Sequence, residues 1–125
     1  MKKARPEEHE APIDVQEFLN RVGGGISFLS ELLGIYMLEY QAKHVDLMTA
    51  FASNDMNRVE EISHSLKGAS ASLSLRRLRE TFLEIETAAR SGNRARLDPA
   101  LSRLAEDFSA LKNFVDQTGL LDPSI

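Results

Sequence analysis

His64, Lys67 and Gly68 are the residues of this chain whose types and spacing could do chemistry. They sit in a stretch whose apolar residues Val59, Ile62, Leu66, Ala69 and Leu73 recur every three or four positions, the period of an amphipathic helix. At the helical advance of roughly 100° per residue these five fall within about 80° of one another, and His64 lies about 180° from them. Lys67 and Gly68 follow one turn on, on the histidine's side. A glycine inside an exposed helix costs about 1 kcal/mol relative to alanine. Off the apolar stripe it gains nothing from helix packing, so its use would be to let a bulky partner approach the imidazole. Ala71, one turn further, is also small. A neutral imidazole beside an ammonium group suits acceptance of a phosphoryl group and stabilisation of its negative charge. From spacing alone, a surface His–Lys pair with a tolerated glycine stays open as the alternative.

The elements that must position these residues read as helices throughout. Asp14 caps a short helix, with Glu17 three residues on completing a capping box and Val15, Phe18 and Val22 on its buried side. Gly23, Gly24 and Gly25 stop it. They lack the lysine and spacing of a phosphate-binding loop. A long helix follows, offering Ile26, Leu29, Leu33, Tyr36, Met37, Tyr40, Val45, Met48 and Phe51 to a core. Ser53, Asn54 and Asp55 make a turn and cap the histidine helix. Leu75, Leu78, Phe82, Ile85 and Ala89 define the next helix, which Ser91, Gly92 and Asn93 end. Asp98 then caps, and Pro99 opens, the main part of a last helix through Leu101, Leu104, Phe108, Leu111 and Val115, with Leu97 in a preceding turn. No segment alternates with period two. The fold class expected is all-α: an up-down-up-down antiparallel four-helix bundle with a short extra N-terminal helix across one end. Residues 1–12 read as a flexible tail, 13–118 as the bundle and 119–125 as a C-terminal tail.

Composition narrows the function classes. A chain of 125 residues forms one domain of ordinary size. Its 42% hydrophobic and 27% charged residues are usual for a soluble globular protein. A formal charge of −4 supplies no general basic field, so nucleic acid is not an expected partner. Without cysteine there is neither a disulfide framework nor a thiolate metal site. The basic N-terminus is followed by Glu7, Glu8, His9 and Glu10 instead of an apolar segment, which argues against a secretory signal. No run of about 18 apolar residues exists to span a membrane. A cytoplasmic protein is the default expectation, and nothing in the sequence demands more than a monomer.

The run His64-Ser65-Leu66-Lys67-Gly68-Ala69-Ser70-Ala71-Ser72-Leu73 resembles the signature of histidine-containing phosphotransfer (HPt) domains, close to His-x-Leu-Lys-Gly-x-Ser-x-x-Leu-Gly. Phe18 to Gly24 and Phe28 to Leu33 resemble that family's short first helix, glycine turn and second helix, and Leu75 to Gly92 its fourth helix, so the likeness covers about residues 13 to 116. Ser74 stands where the family usually has glycine, Ser63 where alanine commonly precedes the histidine, and Gly25 where aspartate is common. Serine enters the left-handed conformation less readily than glycine, so Ser74 bears on the end of the histidine helix.

The resemblance implies a small helical bundle that relays phosphoryl groups between aspartates of response-regulator receiver domains, with a hybrid sensor histidine kinase as a further partner. His64 is then the phosphoacceptor, Lys67 offsets phosphoryl charge and Gly68 admits the receiver. Asn57, Glu60, Glu61 and Ala71 share the histidine's face as candidate docking residues; Glu60 and Glu61 either raise the basicity of His64 or simply solubilise the helix. Arg76 meets an acidic receiver, or with Arg77 and Arg79 forms a solvated face. Ile13, Leu19 or Phe28 would add apolar contact. No kinase glycine loop or Walker pattern is present, so the chain is expected to carry a phosphoryl group without making one. It needs no cofactor of its own, the receiver supplying Mg2+. A receiver-binding module that is never phosphorylated is the alternative function. A metal-dependent bundle enzyme would need inward-facing, repeated Glu-x-x-His pairs, and Glu61–His64 is single and points outward. His44 falls on the apolar stripe of the long helix and reads as a core or rim histidine; His9 lies in the tail.

Overall fold

The computed structural model describes residues 11–121. Five helices account for most of them: α1 (Val15–Val22), α2 (Gly25–Ala52), α3 (Met56–Ser72), α4 (Arg76–Arg90) and α5 (Arg94–Thr118). No strand occurs among the described residues. Most of the expected N-terminal tail, His9 included, and residues 122–125 of the C-terminal one lie outside them. Packing already begins at Ile13 and continues past residue 118 to Leu120, both buried.

Local chemistry sets the boundaries. The Asp14 carboxylate accepts the Glu17 N–H at 3.0 Å, and Asp55 and Asn93 cap α3 and α5 in the same way. Between α1 and α2 the chain bends by 108°. Gly24 makes that bend possible: its φ is +79°, and a Cβ there would stand 2.7 Å from the Phe28 ring. The α5 boundary differs from expectation. The helix starts at Arg94, runs through Leu97 and Asp98, and holds Pro99 inside it. Asn93 takes the capping role given to Asp98, and the ring of Pro99 is tolerated in the second turn at the loss of one backbone hydrogen bond.

The core forms where the apolar stripes meet. Val59, Ile62 and Leu66 of α3 are buried with Leu29 and Leu33 of α2, Phe82 and Ile85 of α4, and Leu104 and Leu111 of α5. The Tyr40 ring stacks on Phe108 at 3.7 Å and meets Phe82 edge-on, joining α2, α5 and α4. His44 sits at the rim, half-buried and stacked on Tyr40. Tyr36 shares a 2.8 Å hydrogen bond with Ser70, whose hydroxyl also donates to the Leu66 carbonyl.

Other side chains are placed differently from their sequence reading. Val22 is exposed, leaving Phe18 as the fully buried residue of α1. Val45 and Met48 are exposed on α2, because Leu47 and Ala50 already face the core there. Arg77 leaves the solvated arginine face: it turns inward and donates to buried Asp107 at 3.2 Å, beside Thr81.

The end of α3 carries the serine that replaces a glycine. Ser74 adopts φ +58°, so the helix closes through a left-handed turn, with the Leu75 N–H reaching the Ser70 carbonyl at 2.9 Å. Its hydroxyl donates to Glu17 and accepts from Arg21, and its carbonyl accepts from the Asp14 N–H. Helix α1 thus supplies partners that hold this residue in a conformation serine otherwise disfavours.

Ser63 is fully buried, and its hydroxyl has no hydrogen-bond partner among the described residues. Replacing it with alanine removes an unsatisfied polar group and improves helix propensity. The Ser63→Ala chain should gain about 1 kcal/mol of stability. A urea unfolding midpoint at or below that of the parent would contradict this.

Candidate functional site

The apolar stripe of α3 fixes where His64 points. With Val59, Ile62 and Leu66 turned inward, the opposite face reaches solvent, and the His64 side chain is 72% exposed. The ring is nevertheless anchored. Its Nδ1 lies 2.6 Å from Oε2 of Glu86, one helix away on α4. Lys67 Nζ donates to the other oxygen of the same carboxylate at 2.8 Å. The Glu86 side chain is only 4% exposed.

Burial pushes the Glu86 carboxyl up, but the hydrogen bonds and charges of Lys67 and His64 outweigh it and hold the carboxyl below its ordinary range. An ionised carboxylate only accepts hydrogen bonds, so the bond to His64 requires the hydrogen on Nδ1. In the neutral ring this leaves Nε2 with its lone pair free.

The surroundings sort the candidate residues. His64, Asn57, Glu60 and Glu61 line one shallow pocket between α3 and α4, completed by Glu86 and Arg90. Ala71 and Arg76 are not part of it. They line a separate depression at the Ser74 end, where Arg76 pairs with Glu17 at 3.1 Å. Glu60 accepts from Arg90 at 3.1 Å and Glu61 lies 3.5 Å from Arg58, so Glu86 is the carboxylate that meets the imidazole. Gly68 is exposed, and a Cβ added to it would meet nothing within 4 Å. Nothing among the described residues needs that glycine. Among the apolar docking candidates, Ile13 is buried and unable to contact a partner; Leu19 is half-buried and Phe28 exposed. Phe28 lines an apolar groove with Val22, Leu32, Ile35 and Ala69. Ser72, one turn beyond Gly68, lines it as well.

Glu86 and Arg90 are the site residues that sequence reasoning missed. A signal existed: Glu86 follows Ile85 and precedes Ala88 and Ala89, an acid on the flank of an apolar stripe that must find a partner when buried. Among the described residues no group of three or more His, Asp or Glu side chains is placed to hold a metal ion, and no single helix is long and apolar enough to cross a membrane.

No curated protein and no solved structure matches the chain. A family model does: the Hpt domain, over residues 31–114, well over half of the sequence. The matched span takes in α3 and α4 whole, and with them the imidazole, its carboxylate anchor and the lysine. The chain therefore belongs to the Hpt domain family, the phosphotransfer modules of phosphorelay and two-component signalling, which work with receiver domains and kinases.

Proposed function

We propose that His64 takes a phosphoryl group from an aspartyl phosphate of a docked receiver domain and passes it to a second receiver. The observation that carries this reading is an exposed imidazole tethered through Nδ1 to an ionised, buried carboxylate. The Nε2 lone pair attacks phosphorus; the P–Nε2 bond forms as the bond from phosphorus to the aspartyl oxygen breaks, and the aspartate leaves as a carboxylate. No proton need leave the ring, because Nδ1 keeps its hydrogen and donates it to the Glu86 carboxylate. The positive charge that develops on the imidazole is offset by that carboxylate. Lys67, held 2.8 Å from Glu86, contributes positive charge toward the incoming phosphoryl oxygens. The magnesium ion of the transfer belongs to the receiver. Reversal uses the same atoms.

The receiver is proposed to seat over Gly68, with Asn57, Glu60 and Glu61 on one side and the groove at Phe28 on the other. Open space over Gly68 supports close approach there. The four long helices, joined by short turns, fit the up-down-up-down arrangement expected from sequence. A cytoplasmic location belongs to the same proposal. The left-handed turn at Ser74, held by Glu17 and Arg21, supports this reading over that of a receiver-binding module without phosphorylation.

Incubation with a phosphorylated receiver and radiolabelled phosphate should label the parent chain, leave His64→Gln unlabelled, and slow Gly68→Gln by at least about tenfold without loss of helix content. Label retained on His64→Gln would refute the assignment, and normal transfer by Gly68→Gln would refute the role of the glycine.

Glu86 also predicts a pH dependence of stability. Its folded-state pKa lies below the ordinary 4.5, so its ionised form stabilises the fold above that value. This contribution disappears as pH falls through the depressed pKa. Parent and Glu86→Gln unfolding midpoints should therefore differ most above about pH 5 and converge in acid. A gap that widened on acidification would contradict the assigned ionisation.

A further inference from the structure

Helix α2 is apolar on two sides. Its inner side carries Leu29, Leu33, Tyr36, Tyr40, Leu47 and Ala50 into the core. Its outer side exposes Ile35 (59%), Leu38 (71%) and Val45 (64%), together with Ala42, Thr49 and Ala52. The spacing of these outer residues, 35-38-42-45-49-52, alternates three and four, the seam of a helix that pairs with another helix. No lysine or arginine interrupts it. A solvated helix face carries charge; one that is apolar all round is covered.

We infer that this face joins two copies of the chain through an antiparallel α2–α2 contact. The seam is complementary to itself when read backwards. An axis midway between residues 43 and 44 sets Ile35 against Ala52 of the second copy, Leu38 against Thr49, and Ala42 against Val45. Every layer pairs a large side chain with a small one, as close packing requires, and a two-fold axis repeats each pair. At the edges Met48 lies beside Gln41 of the second copy, and Asp46 beside Glu39, whose charge is already met by Lys43 at 2.8 Å.

The seam is about 26 Å long, so two of them bury on the order of 1,000 Å², the low end for a specific contact. A membrane surface fits poorly, because Glu31 and Asp46 border the face and no cation does. The contact does not use His64, which opens between α3 and α4.

Sedimentation of the full chain should show a reversible monomer–dimer equilibrium with a dissociation constant on the order of 10 μM. Leu38→Glu should raise that constant at least about tenfold while leaving the monomer's far-ultraviolet circular dichroism unchanged. Because the chain has no cysteine, orientation can be read directly. An Ile35→Cys chain mixed with an Ala52→Cys chain should oxidise to a cross-linked pair far more readily than either alone. A monomer persisting at about 1 mM would overturn the inference. Self-linking by each single variant as efficient as the mixture, or a monomer that sediments with anionic phospholipid vesicles through this face, would overturn it as well.

Discussion

One buried carboxylate organises the functional face of this protein. Glu86 is almost wholly removed from water, yet it remains ionised because His64 and Lys67 each bond one of its oxygens. The cost of burying its charge is offset by these two partners, with Arg90 3.9 Å away adding to them. The same two bonds determine what the partners can do. The imidazole is held by Nδ1 and presents Nε2; the ammonium group is kept beside the ring instead of sweeping through solvent. In the transfer we propose, the nucleophile, its tautomer and a charge for the transferred group would all follow from this one side chain on a neighbouring helix.

That arrangement depends on the contact between α3 and α4. The inward stripe of α3 sets the rotation of the helix, and Leu78, Phe82 and Ile85 set that of α4, so Glu86 meets His64 across the seam. The end of α3 is fixed in turn by α1, whose Asp14, Glu17 and Arg21 hold Ser74 in its left-handed turn. Helix α2 has a double role: its inner stripe closes the core, and its outer one carries the self-complementary seam. The seam leaves the pocket at His64 open but shares Ile35 with the groove at Phe28.

Much of this was legible in the sequence because it depends on local periodicity. The stripe from Val59 to Leu73 located the histidine on an exposed face, and Asp14, Asp55 and the glycine turn marked helix ends correctly. What was not legible depends on which helix lies beside which. Glu60 and Glu61 sit a turn or less from the histidine in sequence, but Glu86 reaches it in space. Arg77 looked like one of several surface arginines until Asp107 of α5 claimed it. Val45 and Met48 looked like core residues because a helix apolar on both sides gives no phase to choose by. At Pro99 a local rule misled: proline favours the first helical turn, but an earlier cap at Asn93 and tertiary packing carried α5 through it.

The most direct test of the central claim is the site of phosphorus on the ring. Heteronuclear magnetic resonance of the nitrogen-15-labelled, phosphorylated chain distinguishes the two nitrogens through their couplings to phosphorus and to the ring protons. Phosphorus bonded to Nε2, with Nδ1 protonated and hydrogen-bonded to Glu86, is the result predicted. Phosphorus on Nδ1 would contradict the account, since that nitrogen would have had to abandon the carboxylate said to hold it.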